Sequence, residues 1–189
     1  RQLLDSLLIL DGAVLLWILE FVRCEILTPL LTFYTQMGNA GIIWIVLSVI
    51  MLCFRKTRRA GALSLVAMLL GLLCTNVVLK HLVARPRPWL TVEGLSFLVV
   101  ENDPNSFPSG HTCAAFAAAG VWFRTLPRKW MQWTAVVLAA LMGFSRLYVG
   151  VHFPSDVVAG CLVGLLCAWL AWLLYQAAEK RWGTIRWLE

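Results

Sequence analysis

Charge is scarce in this 189-residue chain: Asp, Glu, Lys and Arg make up 14% of it, against 60% apolar residues. Soluble domains carry about 25% charged and roughly 45–50% apolar residues, so a mean hydropathy of +0.78 leaves too little polar surface to face water. A water-soluble fold is excluded, and with it disordered, collagen-like and coiled-coil readings. Paired CxxC spacing is also missing. Cys24, Cys53, Cys74, Cys113, Cys161 and Cys167 fall mostly inside apolar blocks, which argues against a zinc or disulfide framework and for small apolar packing residues. No cleavable signal is visible, because the chain opens on Arg1 and acidic residues instead of a basic stretch. The absent Met reads as a trimmed start, and the spans themselves are expected to direct insertion. No internal repeat or low-complexity segment interrupts the pattern.

What is present is a set of long apolar segments and 10 Trp residues, which suit a protein with two membrane interfaces to line. A helix crossing hydrocarbon needs roughly 20 mostly apolar residues, fewer where its ends meet protein or thinned lipid. Residues 60–79, 130–148 and 157–178 meet this clearly, 38–54 is shorter, and 111–126 is shorter still but rich in small residues, as packed membrane helices are. Residues 3–27 carry Asp5, Asp11, Glu20, Arg23 and Glu25 and are expected to lie in the interface. The expected fold is therefore all-α: a polytopic helical bundle of about five transmembrane helices plus an N-terminal interfacial helix. It forms one integral membrane domain, 1–189, with an N-terminal segment 1–37, a core 38–178 and a tail 179–189.

The net charge of +6 could point to nucleic acid, but placement matters more than the sum. Arg55, Lys56, Arg58 and Arg59 flank one turn, Arg124, Arg128 and Lys129 another, and Lys180, Arg181 and Arg186 the tail. Excess Lys and Arg mark cytoplasmic linkers. The linkers 80–110 and 145–156 then share the opposite face, together with every acidic residue except Glu179 and Glu189.

Three polar clusters fall on that outer face. The first is Lys80-His-Leu-Val-Ala-Arg85-Pro86-Arg87-Pro88. Proline stiffens it, although basic residues at a helix end also serve as snorkelling anchors. The second is Pro108-Ser109-Gly110-His111 at the start of the small-residue helix. A helix N-terminus offers free N–H groups and a positive dipole end to an anion; Ser109 as a plain N-cap is the competing reading, and it leaves His111 unexplained. The third is Ser145-Arg146, then His152 and Asp156. Their four-residue separation brings carboxylate to imidazole over one helical turn, fixing the tautomer and freeing the other ring nitrogen as base or nucleophile. The alternative is a helix-start aspartate beside a structural histidine. Cations, an anion nest, a nucleophile and an acid on one face together describe phosphoryl transfer.

Lys80-x6-Arg87-Pro88, then Pro108-Ser109-Gly110-His111, then Ser145-Arg146-x5-His152-x3-Asp156 resemble the tripartite signature of the type 2 phosphatidic acid phosphatases. The resemblance implies that His152 is the nucleophile forming a phosphohistidine and Asp156 its orienting partner. It makes His111 the general acid that protonates the leaving oxygen and then activates water. Lys80, Arg87 and Arg146, with the Ser109 hydroxyl and the Gly110 N–H, would hold the phosphoryl oxygens. Arg85 lies outside the matched positions, and His81 is an interface neighbour of Lys80. The six-span plan common in this family is reduced here to five spans plus the interfacial helix. The related vanadium-dependent haloperoxidases usually have a soluble body, which the composition opposes.

The expectation is an integral membrane lipid phosphatase of the plasma membrane whose site faces the extracytoplasmic side. Undecaprenyl diphosphate is the first-choice substrate, and phosphatidylglycerophosphate or phosphatidate are alternatives. A non-enzymatic headgroup-binding or transport protein is the reading from another class, and it has no need of both His111 and the His152/Asp156 pair. The expected partners are lipid phosphates and membrane lipids, not nucleic acid. No cofactor and no metal are expected, because Asp156 is the only acidic residue within the motifs; Glu93, Glu101 and Asp103 in the outer linker are the competing metal ligands.

The topology is testable directly. In a cysteine-free variant, a single Cys placed in the loop 92–105 should react with a membrane-impermeant thiol reagent in intact cells. Labelling only after lysis would invert the assignment.

Overall fold

The computed structural model describes residues 2–188, without the side chains of residues 2–7 and of Arg186. Asp5, Arg186 and Glu189, used above for charge placement, therefore lie outside the described side chains. The fold is all-helical among the described residues, with one isolated bridge between Pro86 and Asn105. The main helices are α1 (Gln2–Trp17), α2 (Leu27–Met37), α3 (Ile42–Leu52) and α4 (Arg58–Leu72). A widened turn, Leu73–Leu79, joins α4 to α5 (Lys80–Val83). Then come α6 (Pro88–Thr91), α7 (Gly110–Thr125), α8 (Lys129–Tyr148) and α9 (Pro154–Trp182).

By length and composition Arg58–Val83 and Pro154–Trp182 can each cross a membrane, and Leu27–Met37 with Asn39–Leu52, bent by 56°, makes a third if taken as one span. α2 ends at Met37, at the expected boundary, and leads through the turn Asn39–Gly41 directly into α3. α7 has 16 residues, short of a full crossing, and α8 brings Lys129, Gln132 and Arg146 into its 20. Side chains such as Leu69, Leu72, Val77, Leu162 and Leu166 are exposed on the outside, as a lipid-facing surface requires.

α7 stands at the centre, packed against α4, α8 and α9. Its alanines explain the position: Ala115, Ala117, Ala118 and Ala119 are all buried, and short side chains let neighbouring backbones close in. α9 answers with glycine. A Cβ on Gly160 would sit 2.5 Å from the Ser109 carbonyl oxygen, and one on Gly164 would sit 2.5 Å from that of Cys113. These two glycines at i and i+4 lay the α9 backbone directly on α7. At the far end Trp44 of α3 and Trp122 of α7 stack at 5.7 Å, an aromatic pair adding about 0.5–1.5 kcal/mol beyond its buried area. All six cysteines are free; Cys113 and Cys167 are buried, while Cys24 and Cys53 are exposed.

α1 is not purely an interfacial strap. Its inner face buries Asp11 and Leu15 and packs against α9. Its exit is pinned to the end of α8, where Arg23 Nε donates to the Tyr148 carbonyl at 2.8 Å and the Cys24 N–H donates to the Tyr148 hydroxyl at 3.0 Å.

Gly164→Ala should lower the melting temperature in detergent by several degrees, since even one methyl must displace the α7 backbone and overpacking costs about 1–3 kcal/mol. Melting equal to that of the parent protein would mean that α9 does not rest on α7 in this way.

Candidate active site

The fold gathers the three sequence clusters at one end of the bundle. Lys80 opens α5 beyond the widened turn that follows α4, Ser109 opens α7, Arg146 lies in the last turn of α8, and His152 and Asp156 flank the start of α9. The loop after α6 completes the enclosure. The Ser106 N–H donates to the Arg85 carbonyl at 2.8 Å and the Ser106 hydroxyl to the Pro86 carbonyl at 3.1 Å. These bonds hold the stiff Arg-Pro segment against residues 103–106.

His152 is 2% exposed. Its Nε2 lies 3.2 Å from Arg87 Nη1, and its Nδ1 lies 3.6 Å from Asp156 Oδ2. A guanidinium has only donors, so Nε2 accepts and the proton belongs on Nδ1, facing the carboxylate. Burial, then the Arg146, Arg87 and Lys80 cations, hold the imidazole well below its ordinary pKa, so the ring is neutral at pH 7. The 3.6 Å separation leaves the expected carboxylate–imidazole bond unformed in the free protein, a common state before substrate arrives. Asp156 is fixed by other groups: Oδ2 accepts from the Phe153 N–H at 2.8 Å, and Oδ1 accepts from Arg85 at 2.8 Å.

The three expected cations converge, each held in place. Arg87 is 1% exposed; its Nη1 also donates to the Val151 carbonyl at 3.0 Å and its Nε to that of Asp103 at 3.0 Å. Burial lowers its pKa, and Glu101, Asp103 and Asp156 oppose that shift. Arg146 donates to Thr35 Oγ1 at 2.6 Å and to Glu101. Glu101 also faces Arg87 at 3.8 Å. Lys80 Nζ pairs with Asp103 Oδ2 at 2.5 Å. Burial pushes the Asp103 carboxyl up, but Lys80 and the Asn105 N–H outweigh it and leave it below the usual carboxylate range.

At the α7 start, Ser109 is the N-cap. Its Oγ accepts from the Thr112 hydroxyl at 2.9 Å and from the Thr112 N–H at 3.4 Å. The bland N-cap reading is thus realised, and it occupies the acceptor side of Ser109 while its own O–H proton stays available to donate. The Ser109 N–H donates to the Asp156 carbonyl at 3.0 Å, tying the two helix starts together. His111 Nε2 meets Asn39 Oδ1 at 2.9 Å. Asn39 sits in the break between α2 and α3, where Ala40 and Gly41 take left-handed backbone, φ 51° and 71°.

Every motif residue therefore reaches one neighbourhood: Lys80, Arg87, Gly110, His111 and His152 line a single cavity of about 820 Å³, and Arg146, Ser109 and Asp156 stand around it. Sequence reasoning missed Asn39, Arg85, Asp11 and the seating of Glu101 and Asp103 on the cations. The Gly38-Asn-Ala-Gly41 cluster inside an apolar run was a readable break signal. Asp11, an acid amid apolar residues of a helix, was another. Glu93, the third loop carboxylate considered, is exposed and does not line the cavity.

The sequence matches the PAP2 superfamily over residues 61–180. Among similar proteins is an undecaprenyl-diphosphatase of Sulfolobus acidocaldarius, 30% identical over 172 residues, covering 91% of this chain and 80% of the relative. A lipid A 4'-phosphatase of Porphyromonas gingivalis is 28% identical over 183 residues, covering 88% and 78%. Among solved structures, the PAP2-type phosphatidylglycerolphosphate phosphatase of Bacillus subtilis superposes with a TM-score of 0.74 at 30% identity, covering 96% of this chain and 90% of that one.

In a variant whose only histidine is His152, nitrogen-15 NMR should show a neutral Nδ1–H imidazole at pH 6, below the ordinary histidine pKa of about 6.5. An imidazolium signal at that pH would contradict the buried, cation-facing environment.

Proposed function

Because the chain belongs to the PAP2 superfamily and is a membrane hydrolase of lipid phosphate esters, we propose that it cleaves its substrate through a phosphohistidine on His152, with undecaprenyl diphosphate as the preferred lipid. The observation that carries this reading is the composition of the 820 Å³ cavity. One end collects Lys80, Arg87, His111 and His152, and the other is walled by Ile45, Leu65, Met68, Leu69 and Leu72 of α3 and α4. A charged head and an apolar tail of one molecule match the two ends.

In the first step the Nε2 lone pair attacks phosphorus in line with the leaving oxygen. Arg87, which now occupies that lone pair, shifts its donor to a phosphoryl oxygen. Lys80 and Arg146 take the other oxygens, helped by the Ser109 O–H and the Gly110 N–H, so the charge spread over the transition state meets fixed donors. Asp156 compensates the positive charge that grows on the imidazole. His111 gives a proton to the departing lipid oxygen. In the second step water attacks the phosphohistidine, His111 takes its proton, and the N–P bond breaks to release inorganic phosphate and neutral His152. Protein cations supply the positive charge, and no metal is assigned a part.

The placement we favour is the plasma membrane, with five crossings and the site on the extracytoplasmic side. Arg58, Arg59, Arg124, Lys129, Lys180 and Arg181 mark the opposite end of the same helices, which by the positive-inside rule is cytoplasmic. An outward site suits a carrier lipid whose diphosphate is left on the outer leaflet. Phosphatidylglycerophosphate, phosphatidate and lipid A phosphates use the same chemistry, so the lipid is decided by measurement.

In detergent, phosphate release from undecaprenyl diphosphate should exceed that from phosphatidylglycerophosphate and phosphatidate, and should persist in excess EDTA. His152→Ala should reduce turnover by several orders of magnitude, and acid-labile, base-stable phosphoenzyme should be trapped only with His152 present. Near-normal turnover by His152→Ala, or loss on chelation restored by Mg²⁺, would overturn the mechanism.

A further inference from the structure

Two buried charged residues beside the site have no part in that chemistry. Neither Arg85 nor Asp11 lines the cavity. Arg85 nevertheless spends both arms of its fork here. Nη1 donates to Asp156 Oδ1 at 2.8 Å and to the Ser155 hydroxyl at 2.6 Å, and Nη2 donates to Asp11 Oδ2 at 2.8 Å. The guanidinium carbon lies 3.9 Å from the centre of the Phe153 ring, which fixes its plane. Asp11 is 4% exposed, on the inner face of α1. Its Oδ1 accepts the Ser155 N–H at 3.0 Å, and its Oδ2 also accepts the Ser155 hydroxyl. From the imidazole outward the side chains run His152, Asp156, Arg85, Asp11, at 3.6, 2.8 and 2.8 Å.

We infer that Asp11 and Arg85 are positioning residues that act on the reaction through Asp156, so that the N-terminal helix completes the machinery around His152. This rests on the reading of His152 as nucleophile with Asp156 as its partner. The reasoning is one of charge order. Asp156 is 0% exposed, and a buried carboxylate without a cation either takes up a proton or turns away. Arg85 opposes both, but a guanidinium bound to Asp156 alone would cancel the negative charge that the imidazole needs. Asp11 on the far side of the fork offsets that cancellation. The three charges sum to minus one, directed at Nδ1. On its other side the charged groups that bear on His152 are cations: Arg87 at 3.2 Å, with Arg146 and Lys80 beyond. With the charge chain in place, the imidazolium-like state is opposed less than it would be by the cations alone, and the chain acts without touching the phosphoryl group.

The test is steady-state kinetics of the full chain in detergent, with dioleoyl phosphatidate micelles as the probe. Asp11→Asn should lower kcat about tenfold and leave KM within twofold, because no phosphate contact is lost. Asp11→Glu, which restores a carboxylate, should recover most of that loss. Arg85→Gln should lower kcat at least as far, and adding Asp11→Asn to it should cost little more, because Asp11 acts through Arg85. The cap that Asp11 provides to α9 through Ser155 is separable: its loss lowers the melting temperature in both backgrounds alike. If Arg85→Gln does not purify as a single species, the Asn/Glu pair at Asp11 decides the matter alone. An Asp11→Asn kcat within twofold of the parent, a Glu variant no better than Asn, or independent multiplication of the two losses would overturn the inference. His152→Ala is assayed in parallel. If it is active, the reading of the site fails; if it is dead while Asp11→Asn turns over normally, only this inference fails.

Discussion

The contact on which the rest depends is backbone laid on backbone between α7 and α9. Gly160 and Gly164 leave α9 without a side chain at the two closest approaches, and the helix starts then meet closely enough for the Ser109 N–H to reach the Asp156 carbonyl. Ser109, Gly110 and His111 come from one helix start, His152 and Asp156 from the other, and the distance between them is set by two hydrogen atoms. In a bilayer, where apolar surface gains nothing by leaving lipid for protein, such close approach is a principal source of helix association. The alanines of α7 extend the same close packing towards the other end.

A second constraint is that charge at this depth must be paired. Four cations, Lys80, Arg85, Arg87 and Arg146, are wholly or mostly buried, and each has a carboxylate partner. Removing one member of such a pair typically costs about 3–5 kcal/mol, because the other is left uncompensated. This explains why the outer linker carries Glu101 and Asp103, and why α1, mostly apolar, retains Asp11 on its inner face.

Much of the site was readable from the chain because its residues occupy short, locally spaced motifs: Lys80 to Arg87, Ser109 to His111, and His152 to Asp156. The helical class was readable for a simpler reason, the length of the apolar runs. What was not readable depends on partners distant in sequence. Asp11 and Arg85 are separated by 74 positions, and nothing in either neighbourhood names the other. The inward face of α1 follows from that pairing, which the scattered charges of residues 3–27 do not reveal. The seating of Glu101 between Arg87 and Arg146 was hidden in the same way, and carboxylates considered as metal ligands proved to be paired with the protein's own cations. Asn39 was hidden by its place in the chain: the short span read from residue 38 opens at an elbow where α2 ends and α3 begins, and the elbow is what brings the amide to His111.

The seating of Glu101 and Asp103 also shapes the energetics of occupancy. The three cations of the anion pocket already carry two carboxylates, so an arriving phosphate exchanges with resident counter-ions instead of filling an empty positive well. The electrostatic gain is then a difference between two anions for the same donors, far smaller than the attraction of three bare cations. In the proposed mechanism, phosphate left by cleavage meets carboxylates that compete for Lys80, Arg87 and Arg146 from within the same loop, at a local concentration that no external salt can match. Built-in competition of this kind trades tight holding for ready clearance, as a site that must release inorganic phosphate on every cycle requires.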